Sequence, residues 1–136
     1  MLSVSWTTIR LFLHVLAATV WVGGQITLLG LVPTLRNLSP DAPRAAARKF
    51  NVIAWSAFGV LVVTGIWNLL AVDVGDQTTA WHASLGLKLV LVAASGIAAA
   101  FHAGARSTVV LAVGGAVGLL AALGAVFVGL QLSGAT

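Results

Sequence analysis

His14, Trp21 and Gln25 lie inside an apolar run, Leu11 to Gly30, that reads LFLHVLAATVWVGGQITLLG. A neutral imidazole offers a lone pair that can ligate a metal ion or a haem iron. A charged group in hydrocarbon costs roughly 2.5 to 3.5 kcal/mol on insertion scales, and an ionisable residue there marks a functional site by default. For neutral histidine the cost is smaller. On a helix, Arg10, His14, Ala18, Trp21 and Gln25 recur at spacings of four, four, three and four and share one face. Lipid would leave their hydrogen-bonding groups unpaired, so this stripe must turn toward protein.

A second polar face lies on the run that begins near Trp81: Ser84, Lys88, Ser95 and His102 follow at four, seven and seven. At about 1.5 Å per residue, His14 and Lys88 each lie roughly 10 to 12 Å below the outer end of their spans. Asn68 and His82 fall near the same level. His102 comes twenty residues after His82, roughly 30 Å along the helix, so the two cannot share a site within one chain. Each residue also has a structural use. His14 can simply hydrogen-bond to a neighbouring helix, His82 and His102 can meet water or headgroups, and Lys88 can snorkel. Trp21 and Trp55 can be core, while Trp6, Trp67 and Trp81 fit an aromatic belt.

Four spans must carry these residues. The chain of 136 residues is 60% hydrophobic and 7% charged, with mean hydropathy +1.07, which describes an integral membrane protein. About twenty residues suffice per spanning helix. The expected fold is all-α, a single four-span membrane domain over 1–136, an antiparallel up-down-up-down bundle with spans at about 6–35, 50–72, 81–103 and 108–130. No basic stretch and cleavage site precede the first run, so it is expected to stay as a span. Pro33 is expected to kink or end that span, and Pro40 and Pro43 to break the following loop, RNLSPDAPRAAARK.

The net charge of +4 gathers in that loop, at Arg36, Arg44, Arg48 and Lys49. It reads as a topology signal and not as a nucleic-acid surface. The loop is expected inside, with Arg106, and the Asp73/Asp76 loop outside, which puts both termini outside. Small residues on the fourth span (Gly114, Gly118, Ala121, Ala125, Gly129) permit close helix approach, either within the chain or in a homodimer.

The absence of cysteine removes disulfides and thiolate ligands, and Met1 is the sole thioether. No span holds paired carboxylates, and the chain has neither a nucleophile elbow nor a P-loop, so no catalytic residue is assigned. Gly23-Gly24 is read as a place where another helix or a flat ligand comes close.

Three segments, LHVLAATVWVGG around His14, RKFNVIAWSAFGVLVVTG from Arg48 to Gly65, and WHASLGLKLVLVAA around Lys88, together resemble the copper resistance D (CopD) membrane domain. Better-known members are longer, so this chain resembles a minimal four-helix form. The resemblance implies copper tolerance or copper movement at a bacterial cytoplasmic membrane, and singles out His14, Trp21, Arg48, Phe50, Gly65 and Lys88. The histidine in the first span and lysine in the third are also similar to HemJ, a haem-binding membrane protoporphyrinogen oxidase, although LVPTLRNLS lacks its further motif residues beyond Pro33.

Two cofactors follow. Copper, which the resemblance favours, would have His14, His82 and Asn68 as ligands, and a charged Lys88 would oppose it by about 4 kcal/mol at 4 Å and an effective dielectric of 20. A b-type haem is the alternative. It would take His14 as axial ligand, Arg10 and Lys88 beside its propionates and Trp21 in its wall, with His82 as second ligand only if the ring sits high. A third expectation is an accessory subunit of a membrane complex.

Overall fold

The computed structural model describes residues 3–135, which fold as four α-helices with no strand. These are α1 (Trp6–Leu38), α2 (Ala42–Leu70), α3 (Thr79–Gly104) and α4 (Thr108–Gly134), with a single 3-10 turn, Val74–Asp76, between α2 and α3. All four are long and apolar enough to cross a membrane. The chain is an all-α, multi-pass membrane protein.

Side-chain caps start two of the helices. Ser5 Oγ accepts the Thr8 N–H at 3.1 Å ahead of α1, and Thr78 Oγ1 accepts the Trp81 N–H at 3.2 Å ahead of α3. Helix α2 begins two turns before the expected Phe50, because Pro43 falls in its first turn, where a missing N–H costs nothing. The Ala45–Ala47 run and its basic neighbours then favour helix. Pro33 does not end α1, which continues to Leu38.

The chain divides into two compact units at Asp73/Val74, one built on α1 and α2 and the other on α3 and α4. Each is an antiparallel hairpin. In the first, Gly24 meets Phe50, Trp21 meets Trp55 and His14 meets Thr64, so the register runs in opposite directions along the two helices. In the second, His102 meets Leu111, Ser95 meets Gly118 and Lys88 meets Gly129.

Aromatic rings fill the first hairpin. Trp21, 4% exposed, lies tilted against Phe58 at 4.6 Å and edge-on at 5.6 Å to Trp55. A Cβ on Gly24 would overlap Cε2 and Cζ of Phe50, so the flat group that this glycine admits is a phenylalanine of the same hairpin.

Small residues hold the second hairpin. Ser95, 1% exposed, donates across the interface to the Gly118 carbonyl at 3.0 Å. A Cβ on Gly118 would stand 3.5 Å from Ala98 Cβ, and one on Gly114 would stand 3.3 Å from His102 Cβ. The small-residue stripe of α4 therefore lies against α3 at Gly114, Gly118 and Gly129, with Ala121 and Ala125 buried.

Several hydroxyls within the spans are satisfied by the helix that bears them. Thr19, Thr27, Ser56 and Ser133 each donate to the carbonyl four residues earlier, at 2.8 to 3.0 Å. Gln25 does the same through Nε2 to the Trp21 carbonyl at 2.9 Å, which accounts for an amide in an apolar run.

Candidate functional site

The polar stripe of α1 finds its counterpart on α2. His14 Nδ1 lies 2.8 Å from Thr64 Oγ1, and Thr64 is itself 3% exposed. The Thr64 hydroxyl carries one proton, which it donates to the Val60 carbonyl at 2.6 Å. It therefore accepts from the imidazole, so His14 is protonated at Nδ1 and, in the neutral ring, bears its lone pair on Nε2. A partner fixing one ring nitrogen is how proteins orient a histidine whose other nitrogen ligates a metal. The ring lies along the α2 backbone, with Cε1 3.6 Å from the place of a Cβ on Gly65, ordinary van der Waals contact.

One helical turn away, the same register sets Arg10 on α1 opposite Asn68 on α2, and both are half-buried. Arg10 Nε and Asn68 Oδ1 are each buried without a hydrogen-bond partner. One is a donor and the other an acceptor. An unpartnered buried polar atom of this kind costs roughly 1 to 3 kcal/mol, so two in adjacent positions mark a place where something polar belongs. The ladder Arg10, His14, Thr64 and Asn68 is the candidate site.

In comparisons with protein-family models, characterised proteins and solved structures, nothing matches this chain. What the site can do must therefore be read from its own geometry.

Of the residues expected at a site, the first hairpin gathers His14, Arg10 and Asn68, and places Trp21 in the aromatic core two turns along the same face as His14. His82 and Lys88 belong to the second hairpin. His82 is exposed in the first turn of α3, where its Nδ1–H donates to the Thr78 carbonyl at 2.9 Å. Lys88 is half-buried, with Nζ 3.2 Å from the place of a Cβ on Gly129. His102 is half-buried: its Nδ1–H donates to the Leu111 carbonyl at 2.7 Å and pins α3 to the start of α4. Among the described residues, no three His, Cys, Asp or Glu side chains come together as a metal cluster.

Thr64 is the site residue that the sequence pattern did not single out. A signal was present: Thr64 and Asn68 are spaced by four on α2, matching Arg10 and His14 on α1.

Proposed function

We propose that the Arg10–His14–Thr64–Asn68 ladder holds an anionic metallocofactor, a b-type haem, in a membrane redox or haem-handling protein. The observation that carries this reading is the His14 imidazole locked by Thr64 with the unpartnered Arg10 Nε one turn away. His14 would supply the axial nitrogen through Nε2, and Arg10 would meet a propionate, with Asn68 Oδ1 accepting from a protonated carboxyl or a water. When bound, the iron supplies one-electron chemistry; the chain supplies orientation and charge.

Bare copper fits this ladder poorly. The four side chains offer one imidazole, one amide, a hydroxyl and a guanidinium, with no thiolate or thioether in reach, and soft Cu(I) selects sulfur. The guanidinium also opposes a cation. At 6 Å and an effective dielectric of 20 the repulsion is about 3 kcal/mol.

Copper handling remains the second reading because two of the three CopD-like segments touch within the first hairpin: Trp21 on Trp55, Gly24 on Phe50, and His14 on Gly65. Under either reading the protein would sit in a bacterial cytoplasmic membrane with both termini outside, as the basic Arg36–Lys49 end of the first hairpin supports.

Spectra and elemental analysis of the detergent-purified protein, expressed with haem precursor and copper, test this. A Soret band with reduced α and β peaks, lost in His14→Ala and weakened in Arg10→Met, is expected. Stoichiometric copper without a Soret band would establish the second reading, and a colourless, metal-free protein would leave the accessory role.

A further inference from the structure

We propose that the loop end of the first hairpin is a docking surface for an anionic phospholipid, with the headgroup on Arg44 and Arg48 of α2 and an acyl chain along the same face of that helix. Two independent observations carry it, the electrostatics of the first turns of α2 and the register of α2 against α1.

Arg36, Arg44, Arg48 and Lys49 are all exposed, and Asp41 is the sole carboxylate in the sequence between Arg36 and Asn51. The start of a helix favours anions. Helix α2 nevertheless has no acid in its first turn, and Asp41 makes no side-chain cap there. Arg44 stands in that turn instead. Arg44 and Arg48 are spaced by four, so two like charges share one side of the helix, an arrangement that destabilises it. A phosphate between the two guanidinium groups turns both unfavourable effects into favourable ones.

The register shows where these cations sit. Gly24 meets Phe50, so in an antiparallel pair Lys49 is level with Gln25, Arg48 with Ile26 and Arg44 with Gly30. Helix α1 carries no charge at those levels and none before Arg36. It therefore stays uncharged for roughly 16 Å beyond the level at which α2 becomes cationic. Ile26, Leu29 and Leu31 are exposed over that stretch. One side of this end calls for hydrocarbon and the other for anions, which is the pattern of a surface seated at the boundary between acyl chains and headgroups. A soluble acidic protein would satisfy the α2 side alone.

The cationic face of α2 continues as an apolar one. Arg44, Arg48, Val52, Trp55 and Gly59 follow at four, four, three and four and share one face. Val52 and Trp55 are exposed, and a Cβ on Gly59 would meet nothing within 4 Å. A chain hanging from a phosphate at Arg48 thus has roughly 16 Å of open, uncharged helix to lie along. Thr64 lies roughly 24 Å from Arg48 along α2, so this surface does not depend on the haem reading.

The test follows the lipid through Trp55. The full chain is reconstituted in phosphatidylcholine vesicles with a minor fraction of lipid brominated on its acyl chains, either phosphatidylglycerol or phosphatidylcholine. The Trp55 share of the fluorescence quenching is the difference between the parent and Trp55→Phe. Brominated phosphatidylglycerol is expected to quench Trp55 at a lower mole fraction than brominated phosphatidylcholine. Arg44→Gln and Arg48→Gln, at exposed positions where glutamine keeps the helix, should each reduce that preference about fivefold, as loss of one cation at a charged membrane surface does. Arg106→Gln, which removes the same charge from the second hairpin, should leave the preference in place. Equal quenching by the two lipids overturns the proposal, and so does a preference for phosphatidylglycerol that survives the double replacement of Arg44 and Arg48.

Discussion

Replacing Thr64 with valine separates a positioning role from a merely structural one. Valine keeps the branched shape of a side chain that is 3% exposed, and removes the hydroxyl that accepts from His14 Nδ1–H at 2.8 Å and donates to Val60 at 2.6 Å. Polar contacts between membrane helices average about 0.6 kcal/mol and reach about 1.7 kcal/mol, so the hairpin should stay folded. On the proposed haem reading, the ligand should suffer more. Loss of the group that orients a metal-binding histidine typically lowers affinity about 10- to 100-fold, or roughly 1.4 to 2.7 kcal/mol. The assay is transfer of bound haem from detergent-solubilised protein to an excess of apomyoglobin, alongside unfolding in dodecyl sulfate. Thr64→Ser, which keeps the hydroxyl, should hold haem nearly as the parent does. Equal haem retention in Thr64→Val and the parent, at equal stability, would refute the orienting role.

Further outcomes follow from the helix contacts. Gly24→Ala drives a methyl into the Phe50 ring and should cost about 1 to 3 kcal/mol in dodecyl sulfate unfolding, with most of it recovered when Phe50→Leu is added. Ser95→Ala should cost no more than about 1.7 kcal/mol, while Ser95→Leu, at a position with 1% exposure and a facing Gly118, should force α3 and α4 apart and lower stability further. In Gly115→Val the branched side chain starts 3.2 Å from His102 Cε1 and Nδ1, so the imidazole should swing away and its Nδ1–H proton resonance should vanish.

The four spans were legible because membrane crossing imposes length and apolarity on each segment separately. Helix ends were less so. Pro40 and Pro43 read as loop breakers, whereas Pro43 lies in the first turn of α2, where a proline is tolerated. Spacing alone showed that His14 lies on the polar face of α1. It could not show that Thr64 meets that face, because the pairing depends on the rotation of α2, and a hydroxyl content similar to that of Ser56 gives no hint. Gly24 was legible as a site of close approach but not as the seat of Phe50, which lies 26 residues away in sequence. His102 read as a boundary residue because its acceptor is a backbone carbonyl, which no sequence pattern marks.

The division of hydrogen bonds between helices has a consequence for how this chain is made. Thr19, Gln25, Thr27, Ser56 and Ser133 are satisfied as soon as their own helix forms, so they ask nothing of a neighbour when a segment leaves the translocon. The bonds that cross a hairpin, His14 to Thr64, Ser95 to Gly118 and His102 to Leu111, join segments that emerge in succession. Each hairpin can thus insert as independent helices and close locally, with low contact order and in the order of synthesis. A slip of one turn would cost the polar crossing bond while leaving every back-bonded hydroxyl content, so in the first hairpin the His14–Thr64 pair of the candidate site also checks the register during biogenesis, as Ser95 and His102 do in the second.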